Sequence, residues 1–214
     1  MLQILHISDP HFERQSMERL HDLAETNRDC DIVAATGDYV SNHNSVLPAN
    51  WDNWPQQLKL SVPGGHSDQT DAFNKLRNWT HQVPWVVYFG DVAFIGVNSE
   101  KTGGAREFLQ ATVLTSESRA IVLLCHEWIS GYYVTVGLEE PLAALAESRQ
   151  LLVLHGHEHP REFDGVEWDE TGRVAGKPFY RSRVCSSARV RRGMGNRILW
   201  DCERFSSTPV QGCR

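Results

Sequence analysis

Short apolar runs alternate with polar breaks along this chain, and the runs fall into two periods. Residues 2–8 (LQILHIS) and 31–36 (DIVAAT) are near-continuous apolar stretches of strand length, each closed by a polar break, as in strands buried on both faces. Between them Met17, Leu20, Leu23 and Ala24 recur at helical spacing. The opening therefore predicts strand, helix, strand, the pattern of a parallel pair joined by a crossover helix.

The same reading extends downstream. Residues 58–62, 120–124 and 151–154 predict further buried strands, 85–89 and 92–98 predict strands paired around Gly90-Asp91, and 71–79, 107–114 and 141–147 predict helices. Residues 42–55, rich in Asn, Pro and Trp, predict a loop or weak helix, with Trp51 and Trp54 as candidates for lining a cleft or for packing. Beyond residue 165 the runs 166–168, 178–184 and 197–200 predict strands of a second sheet, turning at Gly172 and at residues 193–195. Residues 206–214 predict a frayed tail. With no internal repeat or linker, residues 1–205 are expected to form one α/β domain with a mixed sheet.

Composition narrows the class. A chain of 214 residues, 41% hydrophobic and 22% charged, can bury the core of a single globular domain. No apolar run approaches the ~20 residues that cross a bilayer, and MLQILHISD lacks the features of a secretory signal, so no membrane partner and a cytoplasmic location are expected. The five cysteines are scattered without a CxxC pair, which predicts reduced, mostly buried thiols. A net charge of −6 argues against a general nucleic-acid binder. The arginine-rich run 173–204 reads as a solvated face or, alternatively, a phosphate-facing one.

The candidate chemistry lies at the strand ends. Asp9 and His11 follow the first predicted strand, Asp38 the second, His66 the third, His126 the run 120–124, and His157 and His159 the run 151–154. Ends of parallel strands in an α/β sheet share one edge, where ligands bind. Each element alone is a weak signal, whereas hard-oxygen and imidazole donors at five independent strand ends, in order along the chain, form a coherent metal-binding set. In an extended chain His155, His157 and His159, spaced two apart, point the same way; His157 and His159 are taken as the donor candidates and His155 as packed or supporting.

These residues stand as Asp9-Pro10-His11, Gly37-Asp38-Tyr39-Val40-Ser41, Gly64-Gly65-His66-Ser67, His126 and Gly156-His157-Glu158-His159. In order and spacing the set resembles the calcineurin-like metallophosphoesterases, whose pattern runs D-x-H, G-D-x-x-[DN], G-N-H-[DE], H, G-H-x-H. The resemblance implies a four-layer αββα sandwich of two mixed β-sheets flanked by helices, with a dinuclear metal centre at the C-terminal ends of the strands. Asp9, His11 and His159 would hold one ion, His126 and His157 the other, and Asp38 would bridge them. It further implies attack on phosphorus by a metal-bound hydroxide, with His66 over the phosphate as the leaving-group acid or charge stabiliser. Mn, Fe or Zn each suit this donor set.

The chain departs from the family pattern at three places, one of them Ser41, which stands where the pattern has Asp or Asn. Gly65 occupies the position of the family's asparagine ligand, which predicts a weaker second site unless Asn42, Asn44, Asp68 or water fills the gap. Ser67 replaces the acidic residue beside His66, a role Asp68 could take. H-x-H-x-D-H and H-E-x-x-H metal patterns both fail, the second at Ser130 after His126-Glu127. The expected activity is metal-dependent phosphoester hydrolysis, with a phosphodiester favoured because the chain is short and lacks an obvious cap domain. Monoesters, a nuclease activity and a scaffold that has lost turnover stay open. Arg161, Arg181, Arg183, Arg189, Arg191 and Arg192 are candidates for holding a second phosphate of a nucleotide or nucleic acid.

Overall fold

The computed structural model describes residues 1–11, 16–39, 54–65, 79–80, 82–99, 102–127, 138–157, 166–174, 176–184 and 194–212. The apolar runs become the centre of two sheets. The first has the order β13-β12-β1-β2-β3, from β1 (Leu2–Ile7), β2 (Ile32–Thr36), β3 (Leu58–Val62), β12 (Met194–Trp200) and β13 (Phe205–Gln211). The second has the order β4-β5-β6-β7-β11-β8, from β4 (Trp85–Phe89), β5 (Val92–Gly96), β6 (Ala120–Leu124), β7 (Gln150–His155), β8 (Val166–Asp169) and β11 (Tyr180–Val184). A two-residue pair, β9 (Arg173–Val174) with β10 (Lys177–Pro178), stands apart.

Alternation along each strand sorts the side chains into layers. Leu2, Ile4, Ile32, Ala34, Leu60 and Val62 meet Phe94, Val122, Leu124, Leu152 and Leu154 between the sheets. The opposite positions, Leu5, Ile7, Val33 and Ala35, pack against Leu20, Leu23 and Ala24 of α1 (Ser16–Thr26). On the far side of the second sheet Ile95, Ile121, Leu123, Leu151 and Val153 pack against α2 (Thr102–Ala111) and α3 (Glu139–Leu145). The result is the four-layer αββα sandwich with two mixed sheets. Each fully buried aliphatic contributes about 1.5–3 kcal/mol, so the core rests on the runs that first marked the strands.

The predicted β1-α1-β2 crossover is present, with β1 and β2 parallel and β3 parallel to β2. Gln56 closes the far end of α1 by donating to the carbonyls of Ala24 and Asn27 at 3.2 and 3.1 Å. In the second sheet β5, β6, β7 and β11 run parallel and β4 and β8 antiparallel at its edges.

Several expectations shift. Helix α2 starts at Thr102, ahead of the predicted 107, because Gly103 and Gly104 fall in its first turn, where glycine costs least. Helix α3 starts at Glu139, with Pro141 tolerated in the first turn, where its missing N–H leaves no bond unmade. The strands after residue 165 divide between the sheets: β8 and β11 extend the second, and β12 joins the first beside β1. Gly195, expected in a turn, lies within β12, where a Cβ would come 2.8 Å from the His6 carbonyl.

The expected frayed tail is corrected as well. Phe205–Gln211 forms β13, paired with β12 from Trp200↔Phe205 to Met194↔Gln211. Asp201 Oδ1 closes the hairpin by accepting the N–H groups of Glu203 and Arg204, both at 2.9 Å, and Phe205 is buried against Trp200. Polar side chains and Pro209 disguise this strand in the sequence, yet both suit a sheet edge.

Trp54 is buried and meets Trp79 edge-on at 5.9 Å, so it packs and does not line a cleft. Cys30 and Cys125 are buried free thiols, while Cys202 is exposed. No helix among the described residues is long and apolar enough to cross a membrane. The loop at 42–53, Trp51, most of the helix expected at 71–79, His66, Asp68, His159, Arg161, Arg189, Arg191 and Arg192 lie outside the described residues.

Candidate metal centre

The parallel strands of both sheets end at one edge, and the chain beyond them turns sharply. Asp9, His11, Asp38 and His157 all have positive φ, at 51°, 41°, 51° and 68°. Residues other than glycine seldom adopt this conformation, and such strain collects at functional sites. Backbone bonds hold the turns: Asp9 N–H donates to the Gly37 carbonyl at 3.2 Å, His11 N–H to that of Asp38 at 3.0 Å, and Gly156 N–H to that of His126 at 2.9 Å.

Two motif glycines let these ends approach. Gly37 has φ 92°, and a Cβ there would stand 2.5 Å from His126 Nδ1. At Gly156 a Cβ would fall 1.9 Å from Ser8 Oγ and 2.1 Å from Asp9 Oδ2. The space a side chain would fill is taken by the donors themselves.

Two overlapping groups of donor atoms result: Asp9, His11 and Asp38, and Asp38, His126 and His157, with the atoms of each group within 4.8 Å of one another. Asp38 belongs to both. Its Oδ2 lies 3.8 Å from His11 Nε2 and its Oδ1 3.3 Å from His126 Nε2, so each carboxylate oxygen faces a different imidazole. Asp9 Oδ1 is 4.0 Å from His11 Nε2, and its two oxygens accept the His157 N–H at 3.3 and 3.1 Å, tying the first sheet to the second.

Burial makes the arrangement electrostatically demanding. Asp9, His11, Asp38 and His126 are all buried. Burial alone would lower the pKa of His126, but the hydrogen bond to Asp38, the charges of Asp9 and Asp38 and the bond to the Thr36 carbonyl outweigh it and push it up to about 9. The pocket favours positive charge. Two carboxylates and three imidazoles suit a borderline divalent ion. His126 Nε2 and His157 Nδ1 lie 3.3 Å apart, about the separation of two nitrogens bound ~2.0–2.1 Å from one tetrahedral ion. The residues present therefore fit a metal.

Beneath the edge runs a buried polar tie that sequence reading missed. His6 Nδ1 lies 2.8 Å from Ser182 Oγ and Nε2 3.0 Å from Thr36 Oγ1, while Asn196 Nδ2 donates to Ser182 Oγ at 2.9 Å. It links β1, β2, β11 and β12. Burial, only partly opposed by Asp9, lowers the His6 pKa to about 3, so this histidine is neutral. His155, which shares the alternate face of β7, is buried and held well below the usual range, chiefly by burial. Glu127 was weighed in the sequence only as part of a failed H-E-x-x-H pattern, yet its Oε1 lies 3.3 Å from His157 Nε2.

The arginines of β11 are engaged elsewhere. Arg181 lies 3.4 Å from Glu167 and 3.3 Å from Asp169, and Arg183 lies 2.6 Å from Glu167. They form a cross-strand ladder with β8, in which their charge is paired internally.

A sandwich of this topology with carboxylate and imidazole donors gathered at its strand ends defines a class of metal-dependent phosphoesterases. The model of the calcineurin-like phosphoesterase family matches residues 2–161, and the chain belongs to that family. No curated protein matches it significantly. Among solved structures it is similar to GAP50, the anchor in the inner membrane complex of Plasmodium, at 12% identity and TM-score 0.57, covering 100% of this chain and 85% of that one. It is also similar to a hypothetical protein from Thermus thermophilus, at 11% identity and TM-score 0.56, covering 99% and 100%. At such identities the likeness is one of fold.

Proposed function

We propose that this family member is a phosphodiesterase acting through a dinuclear metal centre, held by Asp9, His11, Asp38 and His159 on one side and by Asp38, His126 and His157 on the other. The observation that carries the reading is Asp38: one buried carboxylate common to two donor groups, with an oxygen turned toward each. Divalent ions bound there supply Lewis acidity and a nucleophile active near neutral pH.

The chain's own residues do the rest. Asp9 fixes the His157 backbone by accepting its N–H, and the Thr36 carbonyl accepts from His126 Nδ1 at 2.6 Å, leaving His126 Nε2 to face the donor group. His66, by its motif position, protonates the leaving oxygen or stabilises charge on it. The half-exposed His157, with 42% of its side-chain surface open, leaves that side of the site accessible, which supports a diester with two substituents over an enclosed monoester.

The test is hydrolysis of a bis-aryl phosphate against the matching aryl monophosphate, with and without Mn2+. Diester turnover should rise with metal, exceed monoester turnover, and fall more than about 100-fold in Asp38→Asn, beyond the loss typical of residues that only support a ligand. Preference for the monoester would make the chain a monoesterase. Bound metal without turnover on either substrate would favour the scaffold reading.

A further inference from the structure

Tautomers decide what an imidazole can offer a metal, and here both rings of the second donor group have their other nitrogen engaged. For His126 the partner is the Thr36 carbonyl, 2.6 Å from Nδ1. A carbonyl only accepts, so Nδ1 keeps its hydrogen, and Nε2 is the nitrogen that would give up its proton and offer a lone pair to an ion. His157 is mounted the other way round: Nδ1 faces His126 Nε2 at 3.3 Å, while Nε2 lies 3.3 Å from Glu127 Oε1. An ionised carboxylate also only accepts, so the hydrogen of His157 belongs on Nε2 and the lone pair on Nδ1.

The two partners differ in exposure. His157 has 42% of its side-chain surface exposed and Glu127 only 13%. The Glu127 backbone N–H is anchored to the hydroxyl of buried Ser99 at 3.1 Å. The strand ends that carry the two residues are joined by the bonds from Cys125 N–H to the Leu154 carbonyl and from Gly156 N–H to the His126 carbonyl, at 3.1 and 2.9 Å. An anchored acceptor thus meets the more exposed ring.

Its importance follows from position 65. Gly65 provides no side-chain ligand where the family pattern has asparagine, so among the described residues the second group consists of Asp38, His126 and His157. With fewer ligands, the orientation of each one matters more. We propose that Glu127 is a positioning residue of the second metal site: it accepts the Nε2–H of His157, holds Nδ1 toward Asp38 and His126, and so sustains a site that lacks the asparagine ligand. The proposal rests on the reading of these three residues as metal donors.

The experiment is metal binding without substrate. The full chain is stripped with chelator and titrated with Mn2+ against a chromophoric competitor, for wild type, Glu127→Ala and Glu127→Gln, with circular dichroism to confirm the fold. Wild type should take up two ions. Glu127→Ala should weaken the looser ion by about 10- to 100-fold while leaving the tighter one in place. Glu127→Gln, which keeps the shape and an acceptor oxygen, should recover most of that loss. Unchanged binding in Glu127→Ala would overturn the proposal, as would a Glu127→Gln variant as weak as the alanine, which would make the carboxylate itself a ligand. A wild-type chain that takes no second ion would overturn the donor reading, and the proposal with it.

Discussion

At the strand-end edge Asp9 and Asp38 are 0% and 4% exposed and face imidazoles from both sheets, on backbone turns with positive φ. On the outer face of the second sheet Arg181 and Arg183 meet Glu167 and Asp169 across neighbouring strands, in regular β-structure and with side chains 14–37% exposed. Both regions gather charge, and both caught attention in the sequence. The first concentrates carboxylates and imidazoles with little access to water, and so favours a cation. The second pairs charge with opposite charge near solvent and so neutralises itself. Burial, backbone strain and charge balance separate a site from a ladder, whereas charge density does not.

The contrast can be broken at its tightest point. Gly156→Ala would push a Cβ into Ser8 and Asp9, and should lower stability by about 3 kcal/mol. It should also weaken metal retention, because the displaced carboxylate is a donor. Urea unfolding and metal content of the purified variant read the two effects, and a variant with wild-type stability would show that the strand ends have slack the structure does not display.

A smaller effect sharpens the role of the buried tie. The His6 pKa falls from 6.5 unfolded to about 3 folded. As pH drops below 6.5, the unfolded chain binds a proton that the folded chain refuses, so stability falls with acid. The contribution of His6 should be roughly 2 kcal/mol between pH 6.5 and about pH 4.5. Urea midpoints of chelator-treated protein against pH, wild type minus His6→Gln, isolate it. Parallel curves would mean that His6 is not buried neutral.

The smallest effect belongs to the ladder. Arg181→Ala should change stability by about 1 kcal/mol, since ion pairs with partial access to water contribute little, and should leave kcat/KM for the diester unchanged. A selective rise in KM would return Arg181 to the substrate.

Much of this was legible along the chain. Apolar runs of strand length marked β2, β6 and β7, because a strand buried on both faces must be apolar throughout, while β1 and β3 were marked by apolar runs broken by single polar residues. The motif spacings named Asp9, His11, Asp38, His126 and His157, because a donor just past a strand end reads locally. Strand β13 escaped because an edge strand can be polar and still pair, so its sequence resembles a loose tail.

What the sequence determined by itself is the set of donors, their order and the missing side chain at Gly65. Only the tertiary structure decided which atoms meet. It turned one oxygen of Asp38 to each group, set His126 and His157 on opposite ring nitrogens, placed Glu127 behind His157 and engaged Arg181 and Arg183 with β8. Secondary structure follows from periodicities of a few residues. Convergence depends on how two sheets pack, and the two sides of this site, 88 residues apart between Asp38 and His126, meet only when the core between them closes.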